Sequence, residues 1–200
     1  MERIPLTAAL LATALSACRP EVRSPEQCST FKKTAIAWAA VVLEEDVKPY
    51  PHDSAYQFCV ADILAHGYVI EQKPGGLGFF DRFTTTLPGQ VGGAIFTAEA
   101  EMSPETACHE RIHMYTELRL GLKGSIATYA WWEGRLAFEL PAYGERLLYM
   151  KRDGASKEQR LRVAEWAVGA LSSAYLNDKV DIGCLRELSM SFWEDMECFR

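Results

Sequence analysis

The stretch SPETACHERIHMYTELRLGLKG, residues 103–124, carries two of the chain's four histidines, His109 and His113, with Glu110 directly after the first. On a helix, residues four apart share one face, so both imidazoles would project side by side. That spacing lets two ring nitrogens reach one Zn2+ ion at about 2.0–2.1 Å. Glu110 lies off that line but within a turn of both rings, where a carboxylate can take a proton from a metal-activated water without ligating the metal. The competing reading is a helix whose two histidines hold nothing.

A catalytic zinc takes three protein ligands and keeps a fourth position open. No histidine follows His113, so the third ligand must be a carboxylate. Glu117 continues the same face, but eight residues separate it from His109, about 12 Å along a helix axis. One ion does not bridge that span. The ligand must return on a downstream segment, which leaves Glu133, Glu139 and Glu145 as candidates.

The elements that would hold these residues follow from local signals. Ser103 is a good N-cap, Pro104 suits the first helical position and Glu105 suits the positive end of the dipole. The helix is expected to reach about Leu120, with Gly121 or Gly124 closing it. Before it, YVIEQKPGGLGFFDRFTTTLPGQVGGAIFT has strand-and-turn composition, and three short strands are expected near 68–72, 79–86 and 91–97. VGGAIFT reads equally as a buried strand or as an edge on which an extended peptide could pair. Upstream, a helix capped by Ser29 or Thr30 and a second over SAYQFCVADILAHG, stopped by Gly67, are expected. Downstream, SIATYAWWEGRLAFE and PAYGERLLYMKRDG suggest two helices, with Pro141 in a first turn and Glu139 therefore near a helix start. Ser156–Leu176 and residues 181–198 complete a predominantly helical α+β fold with a small three-strand sheet.

Composition narrows the function classes. The chain has 200 residues, 48% hydrophobic and 24% charged, with a net charge of −6. Such a chain buries a real core, and without a basic stripe nucleic acid is not an expected partner. Residues 1–17 read as a signal peptide: Arg3, then an apolar run from Ile4 to Leu15 that is too short to span a bilayer. The run ends in Leu15-Ser16-Ala17-Cys18, which resembles a bacterial lipobox. That resemblance implies lipidation at Cys18, a tether over residues 18–28, a single domain over 29–200, and attachment to the membrane of a bacterial cell envelope through the N-terminal lipid. The other cysteines, Cys28, Cys59, Cys108, Cys184 and Cys198, would then meet an oxidising compartment. Two disulfides and one spare thiol are expected, with Cys184–Cys198 as a local pair. KPGGLG lacks the ending of a phosphate loop, and Trp131-Trp132 reads as core packing.

From His109 onward the chain resembles small bacterial zincin-type metallopeptidase domains of the gluzincin kind. These carry HExxH, a Gly-containing turn, an aromatic-rich second helix and a Glu within FExxA. The matching pieces are HERIH, GLKGSIATYAWW and FELPAY, over roughly residues 105–145. The resemblance implies a minimal zincin-like domain and a zinc-dependent peptidase acting on a peptide or protein substrate. In it His109, His113 and Glu139 would be ligands and Glu110 the general base. Two positions depart from the pattern: Tyr143 stands where thermolysin-like enzymes have an Asp, and Thr116 where related small domains often have Gln. A second expectation is an envelope lipoprotein that binds a protein partner, with a structural or vestigial zinc site.

Overall fold

The structure, a computed structural model, describes residues 21–43, 51–72, 79–81, 94–97, 103–129, 131–176 and 178–200. Residues 1–20, with Cys18 and the expected signal peptide, lie outside the described residues, as do residues 82–93. What is described is mostly helical.

Helix α1 (Pro25–Leu43) begins earlier than the Ser29 or Thr30 cap expected. Ser24 is the true start. Its hydroxyl accepts from the Gln27 amide at 3.2 Å while the Gln27 side chain accepts from the Ser24 amide at 2.9 Å. This reciprocal box satisfies two amides that the helix cannot, and Pro25 sits where a missing N–H costs nothing. Just before it, Val22 bridges Val180, accepting from the Asp181 amide and donating to the Lys179 carbonyl. Cys28 is bonded to Cys184 across 156 residues. Residues 22–28 of the stretch read as a tether are thus fixed to the folded body.

Helix α2 (Ala55–Ala65) follows a short 3-10 turn and stops at Gly67, whose φ of 82° favours a residue without a Cβ. Strands β1 (Val69–Gln72), β2 (Phe79–Asp81) and β3 (Ala94–Thr97) pair in the order β1-β3-β2. Strand β1 runs parallel to β3 in register Val69 to Ala94, and β2 runs antiparallel to it with Phe79 opposite Phe96. Strand β3 is therefore central, with both edges hydrogen-bonded. It is not the open edge that VGGAIFT offered for peptide pairing.

Helix α3 (Pro104–Tyr129) starts as expected: the Ser103 hydroxyl accepts from the Thr106 amide at 3.4 Å, and Ala107 donates to the Ser103 carbonyl at 2.9 Å. It breaks at Gly121, where φ 64° and ψ 168° are non-helical. Helix α4 (Trp132–Arg152) corrects the expectation of two helices. It runs through Pro141, so Glu139 lies mid-helix and not at a start. An interior proline forfeits one backbone hydrogen bond and crowds the preceding turn, at a cost of about 3 kcal/mol. The continuous burial of residues 136–144 is what offsets that cost and keeps the helix continuous. Entry into α4 is tight, since a Cβ at Gly134 would collide with the Thr128 carbonyl.

Helix α5 (Lys157–Ala170) opens on a capping box between Ser156 and Gln159 and runs into a π turn at Leu171–Tyr175. Helix α6 (Ile182–Asp195) is capped by Asp181, which accepts from the Cys184 amide at 3.0 Å. The local Cys184–Cys198 bridge does not form. Within α6, Cys184 and Asp195 lie about 16 Å apart along the axis, so the helix carries the two thiols to opposite ends. Cys198 is buried with its thiol directed at the Gly144 carbonyl.

Two apolar clusters result. The larger joins Phe31, Leu136, Leu140, Tyr143, Leu171, Leu188 and Trp193, with the Trp193 indole donating to the Leu140 carbonyl at 2.8 Å. The smaller joins Cys59, Ile63 and Tyr68 to Ala107, Cys108 and Met114 of α3. The closely packed α3–α4 pair lies where the two meet.

Candidate metal centre

Burial along α3 alternates in meaning. Residues 107–114 are all buried, so every face of this stretch packs against something, including the polar face of His109 and His113. What meets that face is Glu139, projecting from the middle of α4. The two Nε2 atoms lie 3.1 Å apart, and Glu139 Oε2 lies 3.7 Å from His109 Nε2 and 3.5 Å from His113 Nε2. A circle through these three atoms has a radius of about 2.0 Å. A metal ion at a bonding distance of about 2.0–2.1 Å can therefore touch all three while sitting just off their plane, and the tetrahedral edge for such bonds is about 3.3 Å. The donor set fits a divalent metal ion.

The chemistry of the donors agrees with the distances. Burial pushes the His109 pKa down to about 3, the neighbouring His113 adds to that, and Glu139 opposes it. His109 is accordingly a neutral imidazole at neutral pH, the form that ligates metals. A proton shared between the rings would satisfy one pair of atoms, whereas a cation at the centre satisfies all three. The carboxylate that the spacing left open is resolved by packing. Glu133 lines a surface cleft with Glu21 and Phe31, and Glu145 approaches Arg152 at 3.9 Å. Neither joins the cluster. Glu117 accepts from the Tyr68 hydroxyl at 3.0 Å, away from the pair, as its axial distance predicts.

Glu110, the residue after His109, is buried, and its charge is felt at Tyr143. The Tyr143 ring meets His109 edge-on, with centroids 4.7 Å apart, so the imidazole is packed by a residue of α4. Burial, then Glu139, push the Tyr143 phenol well above its ordinary value, so it remains a hydrogen-bond donor. Tyr149, also on α4, packs instead with the smaller cluster.

Several residues of chemical type fall elsewhere. The Cys108 and Cys59 sulfurs lie 3.3 Å apart in the smaller cluster, facing away from His109 as the helical offset requires. His66 caps α2, with Nδ1 at 2.7 Å from the Asp62 carbonyl. Trp132 is core, and the side chain of His52 lies outside the described residues. A surface cleft near Cys28 and Lys32, like the one containing Glu133, includes no member of the triad.

Sequence reading missed Arg146. With α4 continuous, Glu139, Tyr143 and Arg146 stand at i, i+4 and i+7, which is one face. The signal was present, but it becomes readable only when Pro141 is not taken as a boundary. No membrane-spanning helix, long and apolar enough, occurs among the described residues. Set against known protein families, curated proteins and solved structures, the chain finds no match.

Proposed function

We propose that the chain is a zinc-dependent peptidase of zincin-like, gluzincin-like type, held at the bacterial cell envelope by lipid on Cys18. In this reading His109, His113 and Glu139 hold Zn2+. The observation that carries it is the triangle of two imidazole nitrogens and one carboxylate oxygen, sized for one ion. When bound, zinc would lower the pKa of a water toward about 7 and polarise the scissile carbonyl. Glu110, the residue after the first ligand, takes the proton and passes it to the leaving amine. Tyr143 keeps the His109 ring oriented and, with its phenol protonated, offers a donor where negative charge develops. The low-dielectric surroundings strengthen each of these contacts.

A specific observation favours a second reading. All three ligands and Glu110 are buried, which suits a structural or vestigial zinc in an envelope lipoprotein that binds a protein partner. Substitution separates the two. Glu110→Gln should retain one zinc per chain and lose peptide hydrolysis by a factor of at least about a hundred. His113→Ala should lose the zinc as well. If hydrolysis of a denatured protein substrate is unchanged in Glu110→Gln, or absent from zinc-loaded wild type, the binding module is the better account.

A further inference from the structure

Helix α4 places one cation beside the centre. The Arg146 guanidinium lies over the Trp166 ring at 5.7 Å, Trp166 meets Tyr143 at 6.3 Å, and Tyr143 meets His109 at 4.7 Å. Arg146 thus continues the wall of the triad by two ring contacts. Its positive charge is felt at both His109 and Tyr143, adding to the downward shift of the first and opposing the upward shift of the second. Its Nε is buried, and among the described residues nothing accepts a hydrogen bond from it and no carboxylate pairs with it. Arg111, by contrast, is bonded to Asp62 at 2.6 Å, and Arg160, whose Nε is likewise buried without an acceptor, still donates through Nη1 to the Cys198 carbonyl. A guanidinium partly withdrawn from water without an anion is costly to maintain. A cation–π contact with an indole face occupies none of the N–H donors, which remain for a carboxylate to take in two parallel hydrogen bonds. Trp166 is 59% exposed, so the ring side of this contact reaches solvent.

We propose that Arg146, backed by Trp166, is a carboxylate-binding subsite of this centre that selects peptides with an anionic group near the scissile bond; this rests on the peptidase reading. The carboxylate is either the α-carboxylate of a peptide C-terminus, which would make the enzyme an exopeptidase, or an Asp or Glu side chain. In both cases Arg146 positions substrate, and the triad and Glu110 remain the reacting groups.

The test uses the metal-free, chelator-treated chain, so that zinc itself cannot hold the probe. N-acetylphenylalanine, its amide and the α-amide of N-acetylaspartate are titrated while Trp166 is followed by NMR or fluorescence. The acid should bind at least about tenfold more tightly than the amide, the usual gain from a bidentate charged pair. Arg146→Gln should reduce that ratio to less than about twofold. Arg146→Lys, which keeps the charge but not the fork, should fall between. An aspartate amide that matches the acid assigns the subsite to side-chain carboxylates, and one that matches the neutral amide assigns it to the C-terminus. Equal binding of acid and amide by wild type, no detectable binding of the acid at tens of millimolar, or an undiminished ratio in Arg146→Gln would overturn the proposal. His113→Ala should keep the preference while losing zinc. A wild type that binds no zinc yet prefers the acid would reject the peptidase and retain the subsite.

Discussion

Helix α3 buries polar side chains on two opposite sides, and the two groups are built differently. On one side Arg111 is bonded to Asp62 at 2.6 Å, Tyr115 donates to the same Asp62 oxygen at 2.8 Å, and the guanidinium lies over the rings of Phe58 and Tyr115. Each charge meets its complement. On the other side, two residues and about 200° away, His109 and His113 face Glu139 with three basic atoms turned toward a common point. Donors and acceptors close the first group from within the chain. The second collects acceptors around a space, and an arrangement of that kind is completed by a cation. A buried polar cluster therefore indicates a site by what it still lacks.

Three measurements would break or sharpen this contrast. The largest effect is expected for Arg111→Met, which leaves Asp62 buried without its cation and should cost about 3 kcal/mol in urea unfolding. Zinc should still bind the folded fraction. Burial pushes the Asp62 pKa up, but the bonds from Arg111 and Tyr115 outweigh it and the net shift is downward. A depressed carboxylate contributes stability that is present above its unfolded value and disappears as pH falls through the folded one. The gap between wild type and Arg111→Met should hence be full at pH 7 and shrink below about pH 4. Should the gap persist in acid, the network is not what stabilises this side of α3.

Zinc comes next. At a free concentration a hundredfold above Kd it should stabilise wild type by about 2.7 kcal/mol, and EDTA should reverse the gain. His113→Ala should show no such gain. Zinc stabilisation in that variant would place the metal elsewhere. Tyr115→Phe is the mildest change, removing one hydrogen bond to Asp62 for about 1 kcal/mol with zinc content unaltered. A fall in zinc content there would mean that the two sides of α3 are coupled, contrary to the separation seen.

Legibility in the sequence tracked the range of the interaction. Ser103-Pro104-Glu105 marked the start of α3, and the four-residue spacing placed both imidazoles on one face, because caps and periodicity act within a turn or two. The same signal, Ser24-Pro25-Glu26-Gln27, begins α1 ahead of the cap expected at Ser29 or Thr30. Pro141 misled in the other direction. As local chemistry it marks a boundary, but buried neighbours on both sides carried α4 across it. That one change moved Glu139 to mid-helix and brought Arg146 onto its face. The Cys28–Cys184 bond and the Asp62–Arg111 pair join residues 156 and 49 apart, and no local rule selects such partners.

What the amino-acid sequence determined by itself was the half of the centre that one helix contains: two histidines separated by a turn, an adjacent carboxylate, and the cap that starts the helix. Tertiary structure alone decided which carboxylate completes it. The reason is geometric. Within a helix, 3.6 residues per turn sets the distance between side chains whatever the surroundings. Between helices that distance depends on how α3 and α4 pack, and the packing singles out Glu139 over Glu133 and Glu145.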